Sequence, residues 1–477
     1  MKVWKTGESG EPKFPSDFEV IKKAVLQVTD IKTNRNKYYA IELHSAKNKY
    51  RVFTHYGRTD DLDSNPNAGM RESRYCTTSP EAEALYNKIL KEKTSPRKGY
   101  KEVNLASSKI GSQQSIGKSC GIIDDKTLKK LADKSPATTT PIIIIPTDIQ
   151  ELVAYLYKES TNALVSTVNA SITANGIETP LGVLTIGQID NGQKILDELI
   201  DIFNKKKTKS KNKSLQIEED IVTLSGDFYT VIPHRFGRSR AAANEAVIDT
   251  LEKLSEKQDT LQLMRDMLNV NGNTGVLMNP EVDKKYKALN CTIEPISNSS
   301  SKYKELKEYV EKSQVRTKVI KIKNIYSLYR EGEQKEFKTA VGNVKKLFHG
   351  SSTKNWVGIL SRGLLLPKIV VSLGVHRTDA GWLGNGIYFG DSVNTASNYA
   401  GQGSRGTKFM TIAEVALGKV KDYHKITYGL SGPPSGFDSC HGVRRKTGVT
   451  SQFDDDEFVI YDSKQQKLDY LVEFSDY

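Results

Sequence analysis

The chain has 477 residues, 37% hydrophobic and 27% charged, a balance that excludes a natively disordered chain and predicts roughly two to four domains. Its longest aliphatic run, Ile142–Ile145, falls far short of a membrane span, and the opening MKVWKTGESGEPKF lacks the apolar core of a secretory signal, so an intracellular protein with no membrane partner is expected. The net charge of +13 is uneven, +9 over residues 1–140, −4 over 141–278 and +8 over 279–477, which suggests separate modules with nucleic acid as a partner of the first.

From Ala24 the sequence alternates like paired strands: AVLQVTDI, a turn at TNRNK, YYAIEL, a turn at HSAKNK, then YRVFTHYGR. A helix is predicted over EAEALYNKILKEK, with Ser79 as N-cap and Pro80 at its first position. The Ser/Gly/Lys-rich stretch that ends in SPATTTP reads as a linker over 107–140. Helices are predicted for IQELVAYLYKES, capped by Thr147 and Asp148, for GQKILDELIDIFNK, and for AVIDTLEKLSEKQDTLQLMRDML. The basic run KKKTKSKNK (205–213) is a solvated loop, with a nuclear-import signal as its functional rival. Beyond Pro280 the pattern turns to short β segments, KVIKIKNIYSLY, KKLFHG, GIYFG, KFMTIAEVAL and EFVIYD, separated by Gly-rich loops. That spacing implies an α+β domain whose cleft is built by loops. Cys76, Cys120, Cys291 and Cys440 show no C-x-x-C pair and no His at zinc-finger spacing, so neither a disulfide framework nor a metal site is expected.

The stretches HGSSTKNWVGILSRGLLLP, GWLGNGIYFGDSVNTASNYA and DDEFVIYDSKQQKLDYLVEF resemble the catalytic domain of the poly(ADP-ribose) polymerases. PLGVLTIGQIDNGQKIL and FYTVIPHRFG resemble the helical regulatory domain of that family, and KYYAIEL with FTHYGR resembles its Trp-Gly-Arg (WGR) domain. The resemblance implies NAD⁺ as substrate and a His-Tyr-Glu triad at His349, Tyr388 and Glu457. Cleaving the nicotinamide–ribose bond passes through an oxocarbenium-like transition state, so the site has to hold the nicotinamide and stabilise positive charge at the anomeric carbon. By resemblance, the backbone of Gly350 holds the carboxamide, and Tyr388 and Tyr399 sandwich the ring. His349 bonds a ribose hydroxyl, Ser351 and Asn355 meet the adenosine half, and Glu457 binds a ribose hydroxyl and acts on the attacking group.

Three positions depart from the family pattern. Ala396 stands where a serine bonds the carboxamide, with Ser397 beside it as a substitute. Leu365 stands where the DNA-dependent members carry an arginine, and PSGFDSCHGV looks closer to the vault-associated branch. The WGR signature reads Tyr56-Gly57-Arg58, with tyrosine offering a flat face to a DNA end and the arginine holding the site together. The stretch Gly401–Gly406 matches G-x-G-x-x-G, but a helix-like segment precedes it and a strand follows, so it is expected to be a flexible surface loop.

The resulting expectation is a multidomain α+β protein: a WGR-like β-sheet/helix domain (1–106), a linker (107–140), an all-α helical bundle (141–278) and an ADP-ribosyltransferase domain with split β-sheets (279–477). Its implied function is poly(ADP-ribosyl)ation of protein acceptors, itself included, switched on by DNA ends or breaks and placed in the nucleus of a eukaryote. The rivals are a mono-ADP-ribosyltransferase with another activator and an idle DNA-end scaffold.

Overall fold

A computed structural model describes residues 1–62, 64–121, 123, 125, 127, 145–168, 170–173, 176–207, 214–234, 239–272, 282–315, 319–366 and 381–476. The chain divides into two units, residues 1–136 with 164–268, and residues 137–163 with 269–477.

The first unit starts with β1 (Trp4–Lys5), β2 (Glu19–Asp30), β3 (Arg35–Ala46), β4 (Lys49–Arg58), β5 (Met70–Cys76) and β6 (Lys101–Glu102), in the sheet order β1-β5-β4-β3-β2-β6. The predicted strands are present but longer, because most of HSAKNK belongs to β3 and β4. Only Lys47 and Asn48 turn, both at positive φ (47° and 61°), the conformation that matches hairpin twist. Helix Ser79–Lys93 covers the sheet with Ala82, Tyr86 and Ile89. Its N-cap is Thr78 rather than Ser79, since the Thr78 hydroxyl accepts from Glu81 N at 3.3 Å.

The predicted linker is only partly described, and what is described is built into this unit. β7 (Leu105–Ser108) pairs with β10 (Gly182–Leu184) beside β9 (Gly176–Glu178) and β8 (Ser171–Thr173), a small sheet the helical reading did not foresee. Ser112 N and Oγ and Ser115 Oγ donate to the buried Glu42 carboxylate at 3.1, 2.5 and 2.5 Å, and Lys23 lies 3.5 Å from it. Residues 128–140 lie outside the described residues. Helices Ile186–Lys207, Ser214–Val231, Arg240–Glu245 and Leu251–Gly272 follow. Ala246–Asp249, read as helix, is not helical. Gly226 brings helix Ser214–Val231 against β2, where a Cβ would meet Thr29 O at 2.7 Å, and Thr29 N donates to Thr230 Oγ1 at 2.9 Å.

The second unit carries helix Thr147–Val168 up to residue 163 and a nine-stranded sheet. Its strands are β11 (Thr292–Pro295), β12 (Ile320–Tyr329), β13 (Val344–Ser351), β14 (Ile387–Gly390), β15 (Lys408–Ala416), β16 (Val420–Tyr423), β17 (Ser439–Gly442), β18 (Glu457–Ile460) and β19 (Gln466–Asp476). They run in the order β11-β12-β19-β15-β13-β14-β18-β17-β16. β13 pairs with β15 from Val344 to Ser351 but meets β14 only at Phe348↔Gly390. The sheet is thus nearly split there, and each half has its own core. Phe348, Met410, Ile412, Val472 and Phe474 pack on one side, and Leu383, Cys440, Phe453 and Val459 on the other.

Gly401–Gly406 lies between helix Val393–Tyr399 and β15, so the dinucleotide fingerprint fails as expected. The loop is nonetheless not a free surface loop. Ser404 N donates to Glu159 Oε1 at 3.2 Å, Arg405 Nη2 to Glu151 O at 3.1 Å, and the Arg405 guanidinium sits 4.2 Å from the Tyr155 ring. Helix Thr147–Val168 is its partner within this unit. Among the described residues no helix is long and apolar enough to cross a membrane.

Candidate active site

The point where the sheet nearly splits gathers the predicted residues. His349 follows Phe348 on β13, and its Nδ1 lies 2.8 Å from Tyr388 O on β14. A carbonyl only accepts, so Nδ1 carries the proton. The Tyr388 hydroxyl donates to Gly384 O at 2.8 Å and accepts from Leu383 N at 2.9 Å. It thereby fastens the segment that enters β14.

Glu457 opens β18. Its cross-strand neighbours are Gly390 on β14 and Gly442 on β17. Both must be glycine: a Cβ at 390 would meet Thr395 Cβ at 2.8 Å, and one at 442 would meet the Phe453 ring at 2.6 Å. Thr395 and Phe453 thus fill the space over the two neighbouring glycines, and Glu457 itself is 7% exposed. That burial pushes its carboxyl up to about 7, against the hydrogen bond from Tyr399 and with the help of Asp455. Tyr399 Oη donates to Glu457 Oε1 at 3.3 Å. A carboxylate that changes charge near neutral pH is suited to general-base work.

Gly350 pairs with Met410, and Ala396 O presses against it so closely that a Cβ there would lie 1.9 Å from that oxygen. Ser351 and Asn355 meet, with Asn355 Nδ2 donating to Ser351 Oγ at 3.1 Å. The Ser397 hydroxyl donates to Asp476 Oδ1 at 3.0 Å, which leaves its oxygen as an acceptor only, and Asp476 also pairs with Lys408. Leu365 is half exposed at 48%.

In the first unit, Tyr56 stacks on Tyr39 at 5.3 Å and donates to Glu72 Oε1 at 2.8 Å. Arg58 donates to Asn34 O and Oδ1 at 3.0 and 3.2 Å and pairs with Asp60 at 2.7 Å, so it braces the β2–β3 turn. A cavity of about 460 Å³ opens here, lined by Tyr39, Tyr56 and Tyr100 with Lys37, Arg74 and Lys93. Aromatic faces among cations suit a nucleic-acid backbone.

Two features escaped the sequence reading. One is the cluster of His441, Asp422, Asp456, Arg444 and Asp391 around Glu457; the only available signal was HGVRR facing the acidic run DDDE. The other is the docked loop at 401–406.

Comparison with known proteins identifies three modules. Residues 300–476 match the poly(ADP-ribose) polymerase catalytic domain, 144–275 its regulatory domain and 22–107 the WGR domain. The chain belongs to the poly(ADP-ribose) polymerase family. It is 39% identical over 264 residues to the human protein mono-ADP-ribosyltransferase PARP4, covering 55% of this chain and 15% of that protein. It is 24% identical to human poly [ADP-ribose] polymerase 2 over 94% of this chain and 78% of that protein. With human protein mono-ADP-ribosyltransferase PARP3 it shares 25% over 94% and 86%. The chain thus spans a small part of PARP4 and most of the other two.

Proposed function

We propose that this protein is an NAD⁺-consuming protein ADP-ribosyltransferase stimulated by DNA ends, with Glu457 as its general base. The observation that carries this reading is the buried Glu457 between two obligatory glycines, hydrogen-bonded by Tyr399, at the edge where His349 meets β14. His349 Nε2 receives a ribose hydroxyl, Tyr388 and Tyr399 flank the nicotinamide, and the Gly350 backbone holds its carboxamide. In this reading the cavity at Tyr56 takes DNA, the protein acts in the nucleus of a eukaryotic cell, and its protein acceptors include the chain itself. The DNA-dependent family members supply the model for polymer growth. The 39% identity to a mono-ADP-ribosyltransferase favours a second reading, in which single units are added.

One experiment separates these. The purified chain is incubated with labelled NAD⁺, with and without broken DNA, and run on a denaturing gel. A DNA-dependent ladder supports polymer formation; a single shifted band supports mono-transfer. No label under either condition would refute the transferase. Tyr56→Ala should lower the stimulation by DNA while leaving the DNA-free rate unchanged; equal stimulation would remove the first unit as the sensor.

A further inference from the structure

We propose that His441, as an imidazolium held between Asp422 and Asp456, is a positioning residue for Glu457, with Arg444 completing the clamp. The inference rests on the transferase reading above. His441 grips both chain neighbours of Glu457. Its Nε2 bonds Asp456 Oδ1 at 2.8 Å, and its ring stacks on Phe458 at 4.4 Å and 2°. Its Nδ1 bonds Asp422 Oδ1 on β16 at 2.9 Å. Carboxylates only accept, so both ring nitrogens donate and the ring is charged. Burial alone would lower the imidazole pKa, but the bonds to Asp456 and Asp422 outweigh it and hold it above the usual value.

Arg444 closes the other side. Its backbone N–H donates to the same Asp456 Oδ1 at 2.9 Å, and its guanidinium lies 3.7 Å from Asp456 Oδ2 and bonds Asp391 at 2.8 Å. Asp391 follows Gly390, the cross-strand neighbour of Glu457. The groups around His441 are therefore Asp422, Asp456, Arg444 and Asp391, with Lys345 5.1 Å from the Phe458 ring. The clamp has two effects. It fixes the first residues of β18, and so the direction of the Glu457 side chain. It also supplies a positive charge that balances those of Asp422 and Asp456 beside the strand that carries Glu457. A histidine is the only side chain here that withdraws this charge as pH rises through the neutral-to-alkaline range.

The test uses the full chain. Nicotinamide release is followed against pH for wild type, His441→Gln and His441→Arg, with melting curves in parallel. In wild type an alkaline limb marks loss of the His441 proton; in His441→Arg, which keeps the charge, that limb moves out of range. In His441→Gln the acid limb moves up. Activity at pH 7 in that variant falls severalfold, as the ionised fraction of Glu457 drops. Both limbs unchanged in both variants, with only the melting temperature altered, would reduce His441 to a structural residue. A second readout does not need turnover: in histidine-labelled protein, the NMR resonance lost in His441→Gln titrates above the ordinary imidazole range. A titration at or below that range overturns the clamp. Absence of turnover in wild type would overturn the transferase reading and the catalytic role of the clamp, and the NMR titration would still report whether the ring is charged.

Discussion

Glu457 carries two opposed demands. Ionised, it is the proposed base; buried, its ionised form is costly. A folded carboxyl at about 7, against an ordinary 4.5, means that its contribution to stability is fully present below the unfolded value and is lost as pH rises through 7. The difference is roughly 3 kcal/mol at alkaline pH. Glu457→Gln should therefore raise the melting temperature at pH 8 while cutting transfer by roughly 10²–10⁴-fold, the usual worth of a general base. The gain in stability should fade as pH falls below 7. Wild-type transfer in this variant would dismiss Glu457 as the base; unchanged melting at pH 8 would dismiss its strained burial. At this scale the sequence showed which residues to consider, through HGSS, GIYFG and DDEFVIYD, but not their states. The strands beside Glu457 need Gly390 against Thr395 and Gly442 against Phe453, residues scattered over three segments. The partner of Ser397 was hidden for a local reason. Neighbouring residues on a helix point about 100° apart, so a hydroxyl one position along reaches Asp476 instead.

Among elements, the long alternating strands were legible, because period-two patterning reports a half-buried sheet. The short strands β8 to β10 were not, since three residues carry too little pattern to distinguish them from loop. The contact of helix Val393–Tyr399 with β13 was also hidden, and it is the tightest in the site. Gly350 lets Ala396 O approach to where a Cβ would stand 1.9 Å away. Backbone cannot yield as a flexible side chain does, so Gly350→Ala should cost at least the roughly 1–3 kcal/mol of an overpacked core. In a unit of this size that lowers the melting temperature by several degrees. NAD⁺ turnover should fall with it, because helix Val393–Tyr399 carries Tyr399 to Glu457. Melting within a degree of wild type would show that the helix shifts freely, and the close fit would then position nothing.

At the scale of the whole chain, order of modules was legible and the behaviour of connecting segments was not. A Ser/Gly-rich composition predicts mobility only when nothing distant binds the segment. Here Ser112 and Ser115 satisfy buried Glu42, and Gly403-Ser404-Arg405 lies against helix Thr147–Val168. The second case bears on how the catalytic region is cut from the chain. Tyr155 is buried, lies 6.2 Å from Phe409 and accepts from Arg405 N at 3.4 Å. A fragment that starts at 279 loses this helix and bares the apolar surface it covers. The contact is testable in the intact chain by a double-mutant cycle. Tyr155→Ala removes a buried aromatic ring and should cost about 3 kcal/mol. Gly403→Ala puts a Cβ 2.0 Å from the Tyr155 hydroxyl and should destabilise the wild type by roughly 1–3 kcal/mol. With the tyrosine gone, the nearest atom to that Cβ is Thr353 Cγ2 at 3.0 Å, so the second substitution should cost less in the Tyr155→Ala background. Residues in contact show such non-additivity, and distant ones do not. Strictly additive losses in chemical denaturation would mean that the loop and the helix do not touch in solution, and the flexible-loop expectation for Gly401–Gly406 would stand.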